Sequence, residues 1–447
     1  MEKRFEERGS TSKKNLYAFQ EEALDKIQDY KNAALFWQMG AGKTVSSIEL
    51  AERWNNLALV CLVMKSTLSQ WLEELSIQTD RKVFNAYKKS KKDGIQPFID
   101  CADKKCLVIG YDAYKGKCAA ELRQYINEHS EEICLICDES SLIGSIDSER
   151  TKAVMNTRTE HKLLLSGTPA SGGRLETMIP TMNMLGWNMS KRQFMKEFCE
   201  VYQWNNPARP GVIIPIIKNY KNIDKLRAGL QEHGGSFITM SEAGVQLPDV
   251  LEQKLSIATP AEYKKFMKNR IVEINGKEIV GDNNLTKLIR ARQICSIYNP
   301  ARAAAAEELL QQAGDETVII FYNWVAELEI LKQICDKLGR PMSFVNGKKK
   351  DLTAYEAGKP GATVLLQFQS GCMGLNLQKK SRICIFYSPC LSYSCYEQGK
   401  ARIYRIGQDK NCIFYNLICE DSVEEHILKT LEERKDYTEQ LFEEKYC

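Results

Sequence analysis

Five short motifs carry residue types that act on phosphate, and they follow one another in a fixed order. They are MGAGKT at 39–44, CDES at 137–140, SGTP at 166–169, GCMGLNL at 371–377 and QGKARIYRIGQ at 398–408. In the first, Gly40 and Gly42 let a loop through Met39 and Ala41 turn its backbone N–H groups onto phosphate oxygens. A helix opening at Lys43 and Thr44 adds the field of its N-terminus. The Lys43 ammonium neutralises the outer phosphates and the Thr44 hydroxyl suits Mg2+. The loop departs from the common pattern at its first position, where Trp37 replaces glycine. Asp138 and Glu139 follow the apolar run ICLIC. Asp138 is placed to hold Mg2+ through its waters, and Glu139 to orient and polarise an attacking water. Arg402 and Arg405 lie one helical turn apart and can face the same way. As fingers they would neutralise charge developing on a γ-phosphate, an effect of ~10³–10⁵ in rate in phosphoryl-transfer systems. Gln20, in YAFQEEAL, follows an aromatic residue and offers its amide to the edge of adenine. The chemistry expected is hydrolysis of ATP with Mg2+.

A phosphate loop near the start of the chain and arginines near its end must meet across one nucleotide. Two lobes with a cleft between them are therefore expected. Short apolar runs supply the strands: AALFW (33–37), LALVCLVM (57–64), CLVIGY (106–111), ICLIC (133–137) and KLLLSG (162–167) in one set. TVIIFY (317–322), TVLLQF (363–368), RICIFY (382–387) and CIFYNLI (412–418) form a second set. Uninterrupted runs of this length, separated by crossover lengths, suit parallel strands buried on both faces. A helix from Lys43 to Trp54 places Val45, Ile48, Ala51 and Trp54 near one face. The fold class is α/β, with two doubly wound parallel-sheet lobes.

The intervening composition is different, with breakers such as Asn205, Asn206, Pro207, Pro210, Gly234 and Gly235 around amphipathic segments at 191–202 and 261–272. The expected layout is a disordered 1–14, a first lobe at 15–173, and a helical insertion with return to that lobe at 174–250. Linker helices at 251–300, a second lobe at 301–420 and a charged C-terminal helix at 421–447 complete it. That last helix should begin near Ser422, with Glu425 completing a capping box.

The 447 residues carry a net charge of only +4, too little to demand a polyanion partner. Its distribution says more, with lysines clustered at 88, 89, 91 and 92, at 104–105 and at 348–350, and an acidic stretch from Glu420 to Glu444. The 16 cysteines are scattered, several inside apolar runs, and read as small buried hydrophobes in a reducing compartment. Cys134 and Cys137 have CxxC spacing without a second pair, and with only four histidines this argues against a zinc site. The N-terminus is charged rather than apolar, and the longest apolar run falls far short of the ~20 residues of a membrane span. A cytoplasmic protein, with no membrane partner, is expected.

From about Leu16 to Phe442 the chain resembles the superfamily-two helicase-like ATPases of the Swi/Snf type, the chromatin-remodeller and DNA-repair translocases. QGKARIYRIGQ carries the resemblance most specifically, supported by GCMGLNL, by IFYSP (385–389) before YEQ (396–398), and by VEEHILKTLEERK (423–435), which looks like the family's brace helix. The resemblance implies two RecA-like lobes, ATP with Mg2+, and a duplex DNA track used independently of sequence in replication, recombination or repair. It implies that Gln20 reads adenine, that Met39, Gly40, Ala41, Gly42, Lys43 and Thr44 hold phosphates and metal, and that Asp138 and Glu139 serve metal and water. Ser166, Gly167 and Thr168 would couple hydrolysis to DNA, while Gly374, Asn376, Arg402 and Arg405 would complete the site. Ser66, Thr67, Tyr111 and Ser370 would touch the DNA backbone, hydroxyl contacts that position without reading sequence.

The chain departs from the family at Trp37-Gln38, where an acidic pair is usual, in lacking a proline near Lys65, in DESS for DEAH, at Cys390 and at Ser171-Gly172. Without flanking reader, nuclease or zinc-finger sequences it looks like a minimal phage or bacterial form, nucleoid-associated or in a host cytoplasm. The insertion offers a surface for protein partners. Two other readings fit part of the pattern. One is a strand-separating DNA or RNA helicase, stacking bases on Tyr202, Trp204 and Tyr220; the other is a low-turnover nucleotide-gated scaffold.

Overall fold

The computed structural model describes residues 13, 15–86, 94–205, 213–371 and 374–433. The lysines at 88–92, the breakers at 206–210 and most of the expected disordered N-terminus lie outside the described residues. Two compact units divide the chain, Met1–Gly244 and Val245–Cys447.

The first unit is built on a seven-stranded parallel sheet in the order β3-β4-β2-β5-β6-β1-β9. Its strands are β1 (Asn32–Trp37), β2 (Ala58–Val63), β3 (Lys82–Asn85), β4 (Lys105–Gly110), β5 (Ile133–Cys137), β6 (His161–Leu165) and β9 (Gly235–Ile238). Every residue of β2, β4 and β5 is buried, as continuous apolar runs covered on both faces should be. Helices α1 (Ala18–Ile27), α2 (Lys43–Arg53) and α3 (Leu68–Gln78) are among those packed on the sheet. α2 spans nearly the expected range and buries Ile48, Leu50 and Ala51. Strand registers pair Leu35 with Leu165 and Leu62 with Cys137, so the loops that follow β1, β2, β5 and β6 emerge along one edge of the sheet. Ligands of open α/β sheets collect at that carboxyl edge.

The 174–250 segment differs from a purely helical insertion. It holds helices Ile179–Met184, Lys191–Phe198 and Ile223–Glu232, but also an antiparallel hairpin of β7 (Cys199–Asn205) and β8 (Ile213–Tyr220) before β9. Val201, Tyr202 and the isoleucines of β8 are β-branched or aromatic and favour the pleated state over continuation of the preceding helix.

The second unit has its own seven-stranded sheet in the order β10-β18-β17-β13-β16-β14-β15. The strands are β10 (Val250–Ile257), β13 (Thr317–Tyr322), β14 (Met342–Val345), β15 (Lys350–Asp351), β16 (Thr363–Gln367), β17 (Ser381–Phe386) and β18 (Cys412–Cys419). All neighbours are parallel except β14 and β15. The 251–300 region is more than helices: β10 lies in the sheet, and β11 (Ile271–Ile274) pairs with β12 (Lys277–Val280) ahead of helix Asn284–Ser296. The C-terminal helix Val423–Glu432 packs Val423, Ile427 and Leu431 into the core of this unit. Ser422 caps it by accepting from the Glu424 N–H at 3.1 Å, and Glu425 accepts from the Asp421 N–H at 3.2 Å. Residues beyond 433 lie outside the described part.

The tightest polar cluster of the second unit is in its core. Arg302, fully buried, donates to Glu424, to the carbonyls of Cys295 and Leu417, and to the Cys419 sulfur at 3.3 Å. Cys295, Cys419 and Glu424 lie close enough together to hold a metal, but the guanidinium already supplies the cation they surround. Cys134 and Cys137 lie in the buried strand β5, where burial pushes both thiols up, as the reading of small buried hydrophobes requires. Among the described residues no helix is long and apolar enough to cross a membrane.

Candidate nucleotide site

In the first unit, buried strand β1 runs straight into the glycine loop. Gly40 and Gly42 hold φ of 85° and 82°, values that side chains rarely adopt, and α2 starts directly after Gly42. A Cβ on Gly42 would stand 2.3 Å from the Gln20 amide nitrogen. Gln20 is 3% exposed and spans from α1 to this loop. Its Nε2 donates to the Ala41 carbonyl at 2.9 Å, and its Oε1 accepts from the Tyr17 N–H at 2.8 Å. The side chain expected at adenine therefore also braces the phosphate loop. Trp37 and Gln38, the departure from the family pattern, tie the loop to β9. The Trp37 indole donates to Ser236 at 2.8 Å, the Gln38 N–H to the Ile238 carbonyl at 2.8 Å, and the Met240 N–H to the Gln38 side chain at 2.9 Å.

The Lys43 ammonium lies across the loop, donating to the carbonyls of Trp37 at 2.8 Å and Gln38 at 3.4 Å. The SGT motif reaches it from β6. A Cβ on Gly167 would be 2.7 Å from Met39 Cγ and 3.4 Å from Lys43 Nζ, so a side chain there would push the Met39 side chain aside. Ser166 is buried, and its hydroxyl accepts from the Thr168 N–H at 3.1 Å.

Asp138 and Glu139 follow β5 at the same edge. Asp138 Oδ2 accepts from the Trp71 indole at 2.8 Å and the Thr67 hydroxyl at 3.4 Å, and Oδ1 from the Glu139 N–H at 3.1 Å. Burial pushes the Asp138 carboxyl above its ordinary range, while the Trp71 donor and the Lys43 charge pull it down. A desolvated carboxylate beside the Lys43 ammonium, at the sheet edge where Thr44 opens α2, is a donor set that fits Mg2+ on a nucleotide. Glu139 sits in the left-handed region at φ 50° and ψ 54°, strain of the kind that gathers at functional sites.

Two residues expected to meet a nucleic-acid backbone are placed otherwise. Thr67 is buried against Asp138, and the buried Tyr111 donates its phenol to the Asp138 carbonyl at 2.6 Å. Both open helices at the carboxyl edge of the sheet, so their hydroxyls point to the nearest buried acceptor rather than to solvent. Ser66, next to exposed Lys65, is half-buried. Trp71 was not among the expected site residues. An aromatic at helical spacing reads as core, and only its indole N–H distinguishes it.

The second unit holds the other expected residues. Gly374 has φ 71°, and Asn376 is exposed. Arg402 donates to the carbonyls of Gln398 at 2.9 Å and Leu375 at 2.8 Å, while the Leu377 N–H donates to its carbonyl at 3.1 Å. Buried Arg402 thus fastens the 374–377 loop to the helix Tyr393–Lys400. Arg405, one turn on, donates to Asn376 Oδ1. Ser370 is half-buried, 3.7 Å from where a Cβ on Gly347 would stand. It therefore borders the turn that carries Lys348, Lys349 and Lys350.

A glycine loop between a buried parallel strand and a helix, with an acidic pair at the same sheet edge, is the arrangement of a phosphate-loop α/β protein. The SNF2-related domain model matches residues 20–298, and the helicase conserved C-terminal domain model matches residues 301–407. The chain belongs to the SNF2-related family. It is 24% identical to YwqA of Bacillus subtilis (strain 168), whose name describes an ATP-dependent helicase/translocase, over 92% of this chain and 46% of that protein. The DNA repair protein rhp54 of Schizosaccharomyces pombe is 22% identical over 88% of this chain and 53% of its own length. Human chromodomain-helicase-DNA-binding protein 8 is 23% identical over 88% of this chain and 17% of its own. The chain thus spans about half or less of these curated relatives. Among solved structures, the Sulfolobus solfataricus SWI2/SNF2 ATPase core in complex with dsDNA is similar, at 20% identity and a TM-score of 0.43, over 97% of this chain and 93% of that one.

Proposed function

We propose that the chain is a DNA-stimulated ATPase that moves along duplex DNA without reading sequence. The observation that carries this reading is the junction of Lys43, Gly167 and Asp138 on one sheet edge, in a chain of the SNF2-related family. In this reading the glycine loop and Lys43 hold the triphosphate, and Gln20 holds adenine. Thr44 and Asp138 hold Mg2+, which when bound neutralises phosphate charge. Glu139 orients the attacking water and takes its proton. Arg402 holds the 374–377 loop, and Arg405 neutralises charge at the γ-phosphate. Ser66, Ser370 and the lysines at 348–350 supply phosphate contacts, while Ser166, Gly167 and Thr168 tie Lys43 to the rest of the lobe. The YwqA and rhp54 names, a helicase/translocase and a DNA repair protein, support the same direction.

ATP-driven displacement of a third strand from a triplex tests movement on duplex. The expected result is displacement that needs ATP and is lost in Glu139→Gln, with a labelled fork left intact. ATP-dependent fork opening without triplex displacement would replace this reading with a strand-separating one. Displacement that persists in Glu139→Gln would favour a scaffold.

A further inference from the structure

We infer that Trp71, Thr67 and Tyr111 form a positioning clamp on Asp138, through which the loop preceding α3 controls metal binding. This rests on the functional reading above, because it takes Asp138 as a metal residue and duplex DNA as the ligand of that loop.

The clamp has three anchors on two elements. The indole of Trp71 and the hydroxyl of Thr67 both act on Asp138 Oδ2, at 2.8 and 3.4 Å. The phenol of Tyr111 holds the Asp138 backbone carbonyl at 2.6 Å. With Oδ1 taking the Glu139 N–H, the carboxylate has distinct partners on its two oxygens, which fixes its rotation. The three donors are 1%, 8% and 3% exposed, so water does not compete for them. Phenylalanine would fill the same apolar space at 111, so the phenol oxygen is the specific feature there.

Two of the anchors adjoin a surface loop. The Trp71 N–H donates to the Thr67 carbonyl at 3.0 Å, so both belong to the first turn of α3. Directly before them stand exposed Lys65 and half-buried Ser66, a cation and a hydroxyl suited to a phosphate. An anion drawn to that pair acts on the start of α3 and, through Thr67 and Trp71, on Oδ2. Tyr111 is the first residue of its helix and carries Arg150 over its ring at 5.7 Å. Partners that orient a metal's carboxylate commonly change metal affinity by ~10–100-fold when removed.

The test uses the full chain and its Trp71→Phe and Tyr111→Phe variants, with Mn2+ as a paramagnetic probe. Mn2+ affinity is measured by electron paramagnetic resonance with a non-hydrolysable ATP analogue, with and without duplex DNA. Analogue binding in the absence of metal and the thermal midpoint serve as controls. The clamp predicts that duplex tightens Mn2+ binding in the unmodified chain. Both variants should keep metal-free analogue binding, bind Mn2+ ~10-fold more weakly and lose the duplex response. Tyr111→Phe removes a single oxygen, so it decides the matter even if Trp71→Phe fails to fold. Unchanged Mn2+ affinity and duplex response in Tyr111→Phe would overturn the clamp while leaving the motor intact. An unmodified chain that neither hydrolyses ATP nor responds to duplex would overturn the functional reading itself.

Discussion

At the scale of single residues, the two arginines expected to act alike have different work. Arg402 is buried and spends its guanidinium on the carbonyls of Gln398 and Leu375, whereas Arg405 reaches the exposed Asn376. Arg405→Ala should therefore lower the hydrolysis rate by ~10³ or more at saturating ATP with little change in thermal midpoint. Arg402→Ala should lower both, and equal midpoints for the two variants would contradict the distinction. Glu139→Gln should retain nucleotide and duplex binding while turnover falls by ~10²–10⁴, measured in a steady-state phosphate-release assay. That Lys43 and the acidic pair lie at one sheet edge was legible in the sequence because each follows an apolar strand run, β1 or β5. Trp71 was not, since an indole in a helix looks the same whether its N–H meets a carboxylate or nothing at all. Thr67 and Tyr111 misled for a related reason: a hydroxyl at a loop shows its chemistry but not the direction in which it points.

At the scale of elements, the nine strands read from apolar runs are all present, within one or two residues at each end. Those runs are unambiguous because a parallel strand covered on both faces needs no polar alternation. The edge strands escaped that reading. β3 has no buried residue, and β10 mixes exposed and half-buried positions up to the buried Ile257, so neither forms a continuous apolar run. The β7–β8 hairpin was hidden by the amphipathic helix before it, whose apolar spacing runs on past Phe198 to Val201 and Tyr202, residue types that favour a strand. The C-terminal helix is fastened by a device that charge counting missed, the buried pair of Arg302 and Glu424. Glu424→Ala leaves that guanidinium uncompensated in the core and should cost about 3–5 kcal/mol in chemical denaturation of the second unit. A loss below about 1 kcal/mol would show that the pair is not what holds the helix.

For the whole molecule, the glycine loop lies in the unit Met1–Gly244 and the two arginines lie in the unit Val245–Cys447. The two family models match residues 20–298 and 301–407, and the motif order along the chain is what carries the resemblance. A backbone-tracking protein releases counterions as it binds, so duplex affinity should fall linearly on a log–log plot against salt, by about 0.9 per phosphate contacted. A flat titration would argue against a phosphate track. The most direct measurement is the steady-state rate of ATP hydrolysis at low salt, with and without saturating duplex, alongside single-stranded DNA and RNA. The account predicts a strong increase with duplex and a weaker one with the others; a rate that duplex leaves unchanged would contradict it.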